Sequence, residues 1–221
     1  MQTTYNTKAL LSRAKEYPPS EPRARASSFA NWVFKLSHDP TREVNTRSNY
    51  ERKSKSHPFT SGDIASVANY LARERGDERL SNGWSIEYAD LGNDASENFV
   101  ASRLVIGDKA LRCRPDGVMR HEATGEILII ERKIAGKITE SKRPMPENSW
   151  PNIRAQLWCY SWIDDWVNAS KITLMADVWH RNHIAGGLSP PKVRPFWDRK
   201  DEVWQECEKL FHFYGGHVER L

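Results

Sequence analysis

The stretch Arg114-Pro115-Asp116-Gly117-Val118, followed after a turn by Ile129-Ile130-Glu131-Arg132-Lys133, decides how this 221-residue chain folds. Residues 110–120 and 126–134 read as two strands, and residues 122–125, ending in Gly125, read as the turn between them. A loop over those residues sets His121 against Glu126. Counting outward, Val118 faces Ile129, Asp116 faces Glu131 and Arg114 faces Lys133. Strand side chains alternate between two faces, so Asp116, Glu131 and Lys133 are expected on one face of one hairpin.

Two like charges directly opposite each other destabilise an ordinary sheet, so something must offset them. A divalent cation does so. Oxygen-only ligation by paired carboxylates suits Mg²⁺ or Mn²⁺, with the backbone carbonyl of Arg132, between Glu131 and Lys133, as a further donor. Such an ion orients or acidifies water and neutralises charge developing on a phosphorane, and Lys133 is placed to position the nucleophile or stabilise the transition state.

Outward from the hairpin, residues 84–91 and 99–106 read as strands, with a Gly107-Asp108 turn joining the second to 110–120 and completing an antiparallel meander. Residues 61–75 form the first strong helical pattern, capped by Ser61 or Asp63, stopped by Gly76 and striped by Ile64, Val67, Ala68 and Leu71. That stripe runs on to Glu74, a carboxylate whose partner is a metal, a buried Arg or water at the helix end. Residues 136–149 are a loop holding Lys137, Lys142 and Arg143, which follow the second strand directly and are candidate contacts to backbone phosphates. Residues 150–168 have the period of an amphipathic helix through Ile153, Leu157, Tyr160, Ile163 and Val167. Trp158, Trp162 and Trp166 recur every fourth residue there, a packing stripe in preference to a base-stacking one. Residues 172–180 and 193–197 read as strands, and 200–214 as a last helix closed by Gly215-Gly216.

Asp116 after Pro115, then Glu131-Arg132-Lys133 across a hairpin, resembles the PD-(D/E)XK nuclease superfamily. Gln156-Leu157-Trp158-Cys159-Tyr160 resembles the QxxxY motif of its RecB-type and lambda-exonuclease-like branch, with Gln156 and Tyr160 on one helix face as substrate contacts or as supports of the catalytic face. The resemblance spans residues 61–180. It implies an α/β (α+β) fold with a restriction-endonuclease-like core, a central mixed β-sheet flanked by helices. It also implies an acidic cluster where two central strands diverge, joined by an upstream acid: Glu74 first, Glu78 or Glu87 as substitutes. One branch carries an iron-sulfur cluster on four cysteines; Cys113, Cys159 and Cys207 are only three and do not match its placement, so no iron-sulfur cluster is expected.

The same three cysteines suit neither a disulfide framework nor a paired-CxxC zinc site. The longest apolar run, Ile127 to Ile130, is far short of the roughly 20 residues that cross a bilayer, and residues 1–30 hold no apolar core after a basic start. The expectation is a cytoplasmic protein of bacterial or phage-like context, without a membrane partner. Residues 1–60 carry 11 Lys and Arg against 5 Asp and Glu, so the positive surplus lies in the N-terminal quarter. They are expected as a basic arm (1–25, with a short helix over 7–15), a helix capped at Ser27 or Ser28 and a long loop, preceding a nuclease-like domain over 61–221. The expected function is Mg²⁺- or Mn²⁺-dependent hydrolysis of DNA, of exonuclease or processing type. The competing readings are a non-catalytic nucleic-acid-binding subunit of the same fold and an RNA endonuclease.

Overall fold

The computed structural model describes residues 7–37, 82–90, 99–135, 151–180, 196–198 and 204–220. The elements are α1 (Thr7–Glu16), α2 (Ala26–Ser37), β1 (Trp84–Ala89), β2 (Phe99–Ile106), β3 (Lys109–Cys113), β4 (Gly117–His121), β5 (Ile127–Ala135), α3 (Pro151–Tyr160), β6 (Ile172–His180), β7 (Phe196–Asp198), α4 (Trp204–Phe213) and β8 (Gly216–Val218). Expected helix 61–75, with Glu74 and Glu78 nearby in sequence, lies outside the described residues, as does loop 136–149 with Lys137, Lys142 and Arg143.

A central mixed sheet runs β1-β4-β5-β6-β7, and a second sheet runs β3-β2-β8. Within the first, β5 and β6 are parallel and the other pairs antiparallel. A parallel pair needs a long crossover, and α3 lies on the chain between β5 and β6. Val118, Ile127, Ile129, Ile172 and Leu174 face the main core with α2, α3 and α4, while Met119, Leu128, Ile130 and Met175 make a smaller cluster with Trp84. Each strand of the hairpin therefore buries both its faces, which explains the unbroken apolar run Ile127 to Ile130.

The expected continuous strand 110–120 is broken in two. The chain leaves the smaller sheet after Cys113 and enters the larger one at Gly117, crossing at Arg114-Pro115-Asp116. Proline has no N–H to give a ladder, so it suits the crossing. The meander is thereby divided between two sheets.

Residues 7–37 do not stand off as an arm and extension. Leu10 and Ala14 of α1, and Phe29, Trp32, Val33 and Leu36 of α2, are buried in the main core, because their four-residue spacings give each helix one apolar stripe. Arg13 Nη1 donates to the Leu36 carbonyl at 2.8 Å and Trp32 Nε1 to that of Tyr17 at 3.1 Å, binding α1 and its exit to α2. Helix α2 begins at Ala26, before Ser27 and Ser28, and Phe29 N–H donates to the Arg25 carbonyl at 3.2 Å. The Phe29 ring meets Trp32, Trp158, Phe211 and Tyr214 with centroids 5.3–6.3 Å apart. Phe29→Ala should therefore cost about 3–5 kcal/mol, lowering the melting temperature by roughly 6–20 °C in calorimetry. A shift of under about 2 °C would show that α2 is not part of the core.

Helix α3 ends at Tyr160, well short of residue 168. Ser161 Oγ donates to the Trp158 carbonyl at 2.7 Å, and the following N–H groups bond three residues back, tightening the chain into turns. Its ten residues are almost wholly buried, so it is a central helix, not an amphipathic surface one. Arg154 on α3 and Glu206 on α4 pair at 3.3 Å within the core. Trp158 and Trp166 are buried and Trp162 partly so, which bears out packing over base stacking, although Trp162 and Trp166 lie in the turns beyond the helix and not on a helical stripe. Gly216 opens β8 where a Cβ would collide with the Phe211 ring, a strand that the expected Gly215-Gly216 stop does not anticipate. Among the described residues, no helix is long and apolar enough to cross a membrane.

Candidate active site

The β4–β5 ladder pairs Val118 with Ile129, Met119 with Leu128 and Gly117 with Ile130, as the hairpin count anticipates. Beyond Gly117 it slips. Asp116 N–H donates to the Ile130 carbonyl at 3.1 Å, so Asp116 and Gly117 both oppose Ile130 in a bulge. The Asp116 carboxylate then takes the next place on the ladder: Arg132 N–H donates to its Oδ2 at 2.5 Å. Strand β5 continues along β6 as far as Ala135, while its ladder with β4 has ended, so the two strands part at Asp116. In an extended strand, a residue's N–H and C=O point to the same edge. The Arg132 carbonyl therefore faces the edge that Asp116 occupies.

Glu131 is 2% exposed and, by strand alternation, shares its face with Ile127 and Ile129. The face is that of α3, and Tyr160 of α3 lies where both acids act on it. Burial first, then the charges of Glu131 and Asp116, push its hydroxyl well above the ordinary range, so the phenol keeps its proton and remains a donor. Lys133 is in β5, two residues past Glu131 and paired in register with Val178; its side chain lies outside the described residues.

Gln156 and Tyr160 do not reach outward as substrate contacts. Both are buried, at 8% and 1% exposed, and their bonds run inward. Gln156 Nε2 donates to Tyr160 Oη at 2.6 Å, and Tyr160 Oη donates to the Arg114 carbonyl at 2.8 Å. This relay fixes the backbone two residues before Asp116. The amide and phenol therefore act as supports of the acidic loop, the other role their spacing allows. Tyr160→Phe should cost about 1–3 kcal/mol, because it strands two buried polar groups. Chemical denaturation checks this, and an unchanged midpoint would remove the relay from the account.

Three side chains that sequence reasoning overlooked complete the loop. Asp90 N–H, at the end of β1, donates to the Asp116 carbonyl at 3.0 Å. Its carboxylate accepts a hydrogen bond from Arg114 Nη2 at 2.8 Å and forms an ion pair with the same guanidinium, whose Nε lies 2.8 Å away. Arg132 Nη1 approaches the Asp116 carbonyl at 3.4 Å, and a Cβ on Gly117 would lie 3.3 Å from that nitrogen, so a larger residue there would displace the guanidinium by a few tenths of an ångström. The charged residues beside Pro115-Asp116 and Glu131 were the available signal; Asp90 is too remote in sequence to be paired by pattern.

Glu87, a substitute for the upstream acid, is engaged elsewhere. It sits at the irregularity of β1 between Ile86 and Tyr88, accepts from Arg120 at 2.6 and 2.9 Å, and accepts from Trp166 Nε1 at 2.7 Å. Partial burial pushes its carboxyl up, but the bonds from Arg120 and Trp166 outweigh this and hold it below its ordinary value. Glu87 is thus a strut between β1, β4 and the turns after α3. Among the described residues, no group of three or more His, Cys, Asp or Glu side chains is placed to hold a metal ion. Asp116, Glu131 and the Arg132 carbonyl offer oxygen donors only, which fits a hard cation that keeps part of its water.

No family model and no curated protein matches this chain. Among solved structures it is similar to the crystal structure of SSO0001, at 14% sequence identity and a TM-score of 0.40, over 96% of this chain and 85% of that one. The architecture itself is a mixed sheet flanked by helices, in the α/β class.

Proposed function

We propose that the chain is a metal-dependent nuclease that hydrolyses DNA phosphodiester bonds, built on a restriction-endonuclease-like core. The observation that carries this reading is the convergence of two separate motifs. Arg132 N–H, next to the buried Glu131, holds the Asp116 carboxylate, and Tyr160 with Gln156 holds the backbone leading into Asp116. Chance placement of PD, ExK and QxxxY gives no reason for the three to share one hydrogen-bonded unit.

Asp116, Glu131 and the Arg132 carbonyl would hold Mg²⁺ or Mn²⁺, which when bound lowers the pKa of a water and screens charge on the phosphoryl oxygens. Arg132 N–H holds Asp116 Oδ2 and so sets the rotamer of that acid. Helix α3 and the apolar residues beside Glu131 exclude water behind the site, which strengthens each charge interaction there. Lys133, from its place in the motif, supplies a cation to orient the nucleophile or stabilise the transition state.

Purified protein incubated with linear, circular and single-stranded DNA and with RNA, in Mn²⁺ or in EDTA, tests the reading. Cutting of DNA in Mn²⁺ but not in EDTA is expected, with Lys133→Ala binding DNA and failing to cut it. Equal cutting by wild type and Lys133→Ala, or cutting of RNA alone, would overturn it.

A further inference from the structure

Away from the acids, residues 23–25 run beside β3. Arg112 N–H donates to the Ala24 carbonyl at 3.0 Å, and Arg25 forms an isolated parallel bridge with Arg112. The two elements wall an open cleft of about 1070 Å³. Arg23, Arg25, Lys109 and Arg112 line it against one carboxylate, Asp108, and all four cations are exposed. Arginines at paired positions on adjacent strands repel each other, a cost that an anion between them removes. Among the described residues, none of these four cations makes an ion pair. Nor does α2, which begins beside them, carry an acidic residue in its first turn.

The cleft's position says which anion. Arg112 precedes Asp116 by four residues, a span of at most about 14 Å of chain. At roughly 3.4 Å of rise per nucleotide, that is about four nucleotides. Between them Arg114 is fastened to Asp90, whose N–H holds the Asp116 carbonyl, so these bonds link the cleft's edge to the acidic loop. Guanidinium forks match phosphate oxygens in geometry, and an open trough admits a strand running through where a closed pocket would not. We propose that this basic trough binds the sugar-phosphate backbone of a nucleic-acid strand and leads it to Asp116 and Glu131. The inference rests on the nuclease reading for its direction, and on the trough's own charge for binding.

The test is fluorescence anisotropy of full-length protein in EDTA with fluorescein-labelled mixed-sequence DNA, single-stranded in one arm and duplex in the other. Arg25→Glu/Arg112→Glu should weaken binding at least about tenfold, and Arg25→Ser/Arg112→Ser should reduce the slope of log affinity against log salt by about 1.5. Arg25→Lys/Arg112→Lys should retain most of the affinity, and Lys35→Glu/Lys209→Glu, outside the cleft, should lose little. Melting curves of every variant verify the fold. Equal losses from both charge-reversed pairs, or polyglutamate competing as well as DNA, would overturn the trough. Mn²⁺-dependent hydrolysis of bis-p-nitrophenyl phosphate, too small to need the cleft, separates the two readings. Hydrolysis with unaltered DNA binding by Arg25→Glu/Arg112→Glu sinks the trough alone, whereas trough-dependent binding without hydrolysis of either substrate sinks the nuclease alone.

Discussion

Glu131→Gln and Asp116→Asn are each expected to lower Mn²⁺-dependent DNA cleavage by about 10²–10³-fold or more, the loss typical when a charge-stabilising group is removed from a reacting centre. Both changes keep side-chain shape and remove charge. Asn at 116 still offers an oxygen to Arg132 N–H, so the end of the β4–β5 ladder should survive. Gln at 131 occupies the same space on the α3 face of β5. Circular dichroism should therefore stay native while the rate falls. A rate within about threefold of wild type, under about 1 kcal/mol of transition-state stabilisation, would remove that acid from the chemistry.

Alkaline unfolding should be steep, and the three thiols are the reason. Cys113, Cys159 and Cys207 are free and buried, and burial pushes each thiol above the ordinary value of 9.0, Cys207 to about 12. Glu206 adds to the rise at Cys207 while Arg154 opposes it. Above pH 9 the unfolded chain releases these protons and the native chain keeps them, so the unfolded state binds fewer protons and stability falls as pH rises. Below about pH 8 these groups contribute no pH dependence. Each thiol that keeps its proton in the native state lowers stability by about 1.4 kcal/mol per pH unit above pH 9. Tyr160, with its hydroxyl also pushed up, joins above pH 10. Urea midpoints measured from pH 7 to 11 check this, with Cys159→Ala expected to flatten the decline by one thiol's share. A flat profile, or rapid reaction of native protein with a thiol reagent at pH 8, would contradict the burial of the three.

The hairpin register was legible because a short turn and a two-residue period leave few alternatives, and Val118 does face Ile129. Strands 99–106 and 172–180 were legible for the same reason, since their apolar residues form compact runs between turn signals. The sheet switch at Arg114-Pro115-Asp116 was not, because Leu111, Cys113, Val118 and Met119 are all buried on both sides of it and nothing local marks a change of partner strand. The inward packing of α1 and α2 was missed because Leu10 and Phe29 find their partners on α3 and α4, far along the chain. At the site, Asp116, Glu131 and the Gln156–Tyr160 pair could be named from their motifs, but not the direction in which the pair's bonds run. That depends on α3 being buried on nearly every side, a tertiary fact. The pairing of Asp90 with Arg114 depends likewise on β1 lying beside β4.

An anomalous difference map from crystals soaked in Mn²⁺ tests the central claim most directly. A peak touching the carboxylates of both Asp116 and Glu131, lost in Glu131→Gln crystals, is the expected result. A map with no peak there, or with manganese bound by other residues and out of reach of Glu131, would contradict the assignment.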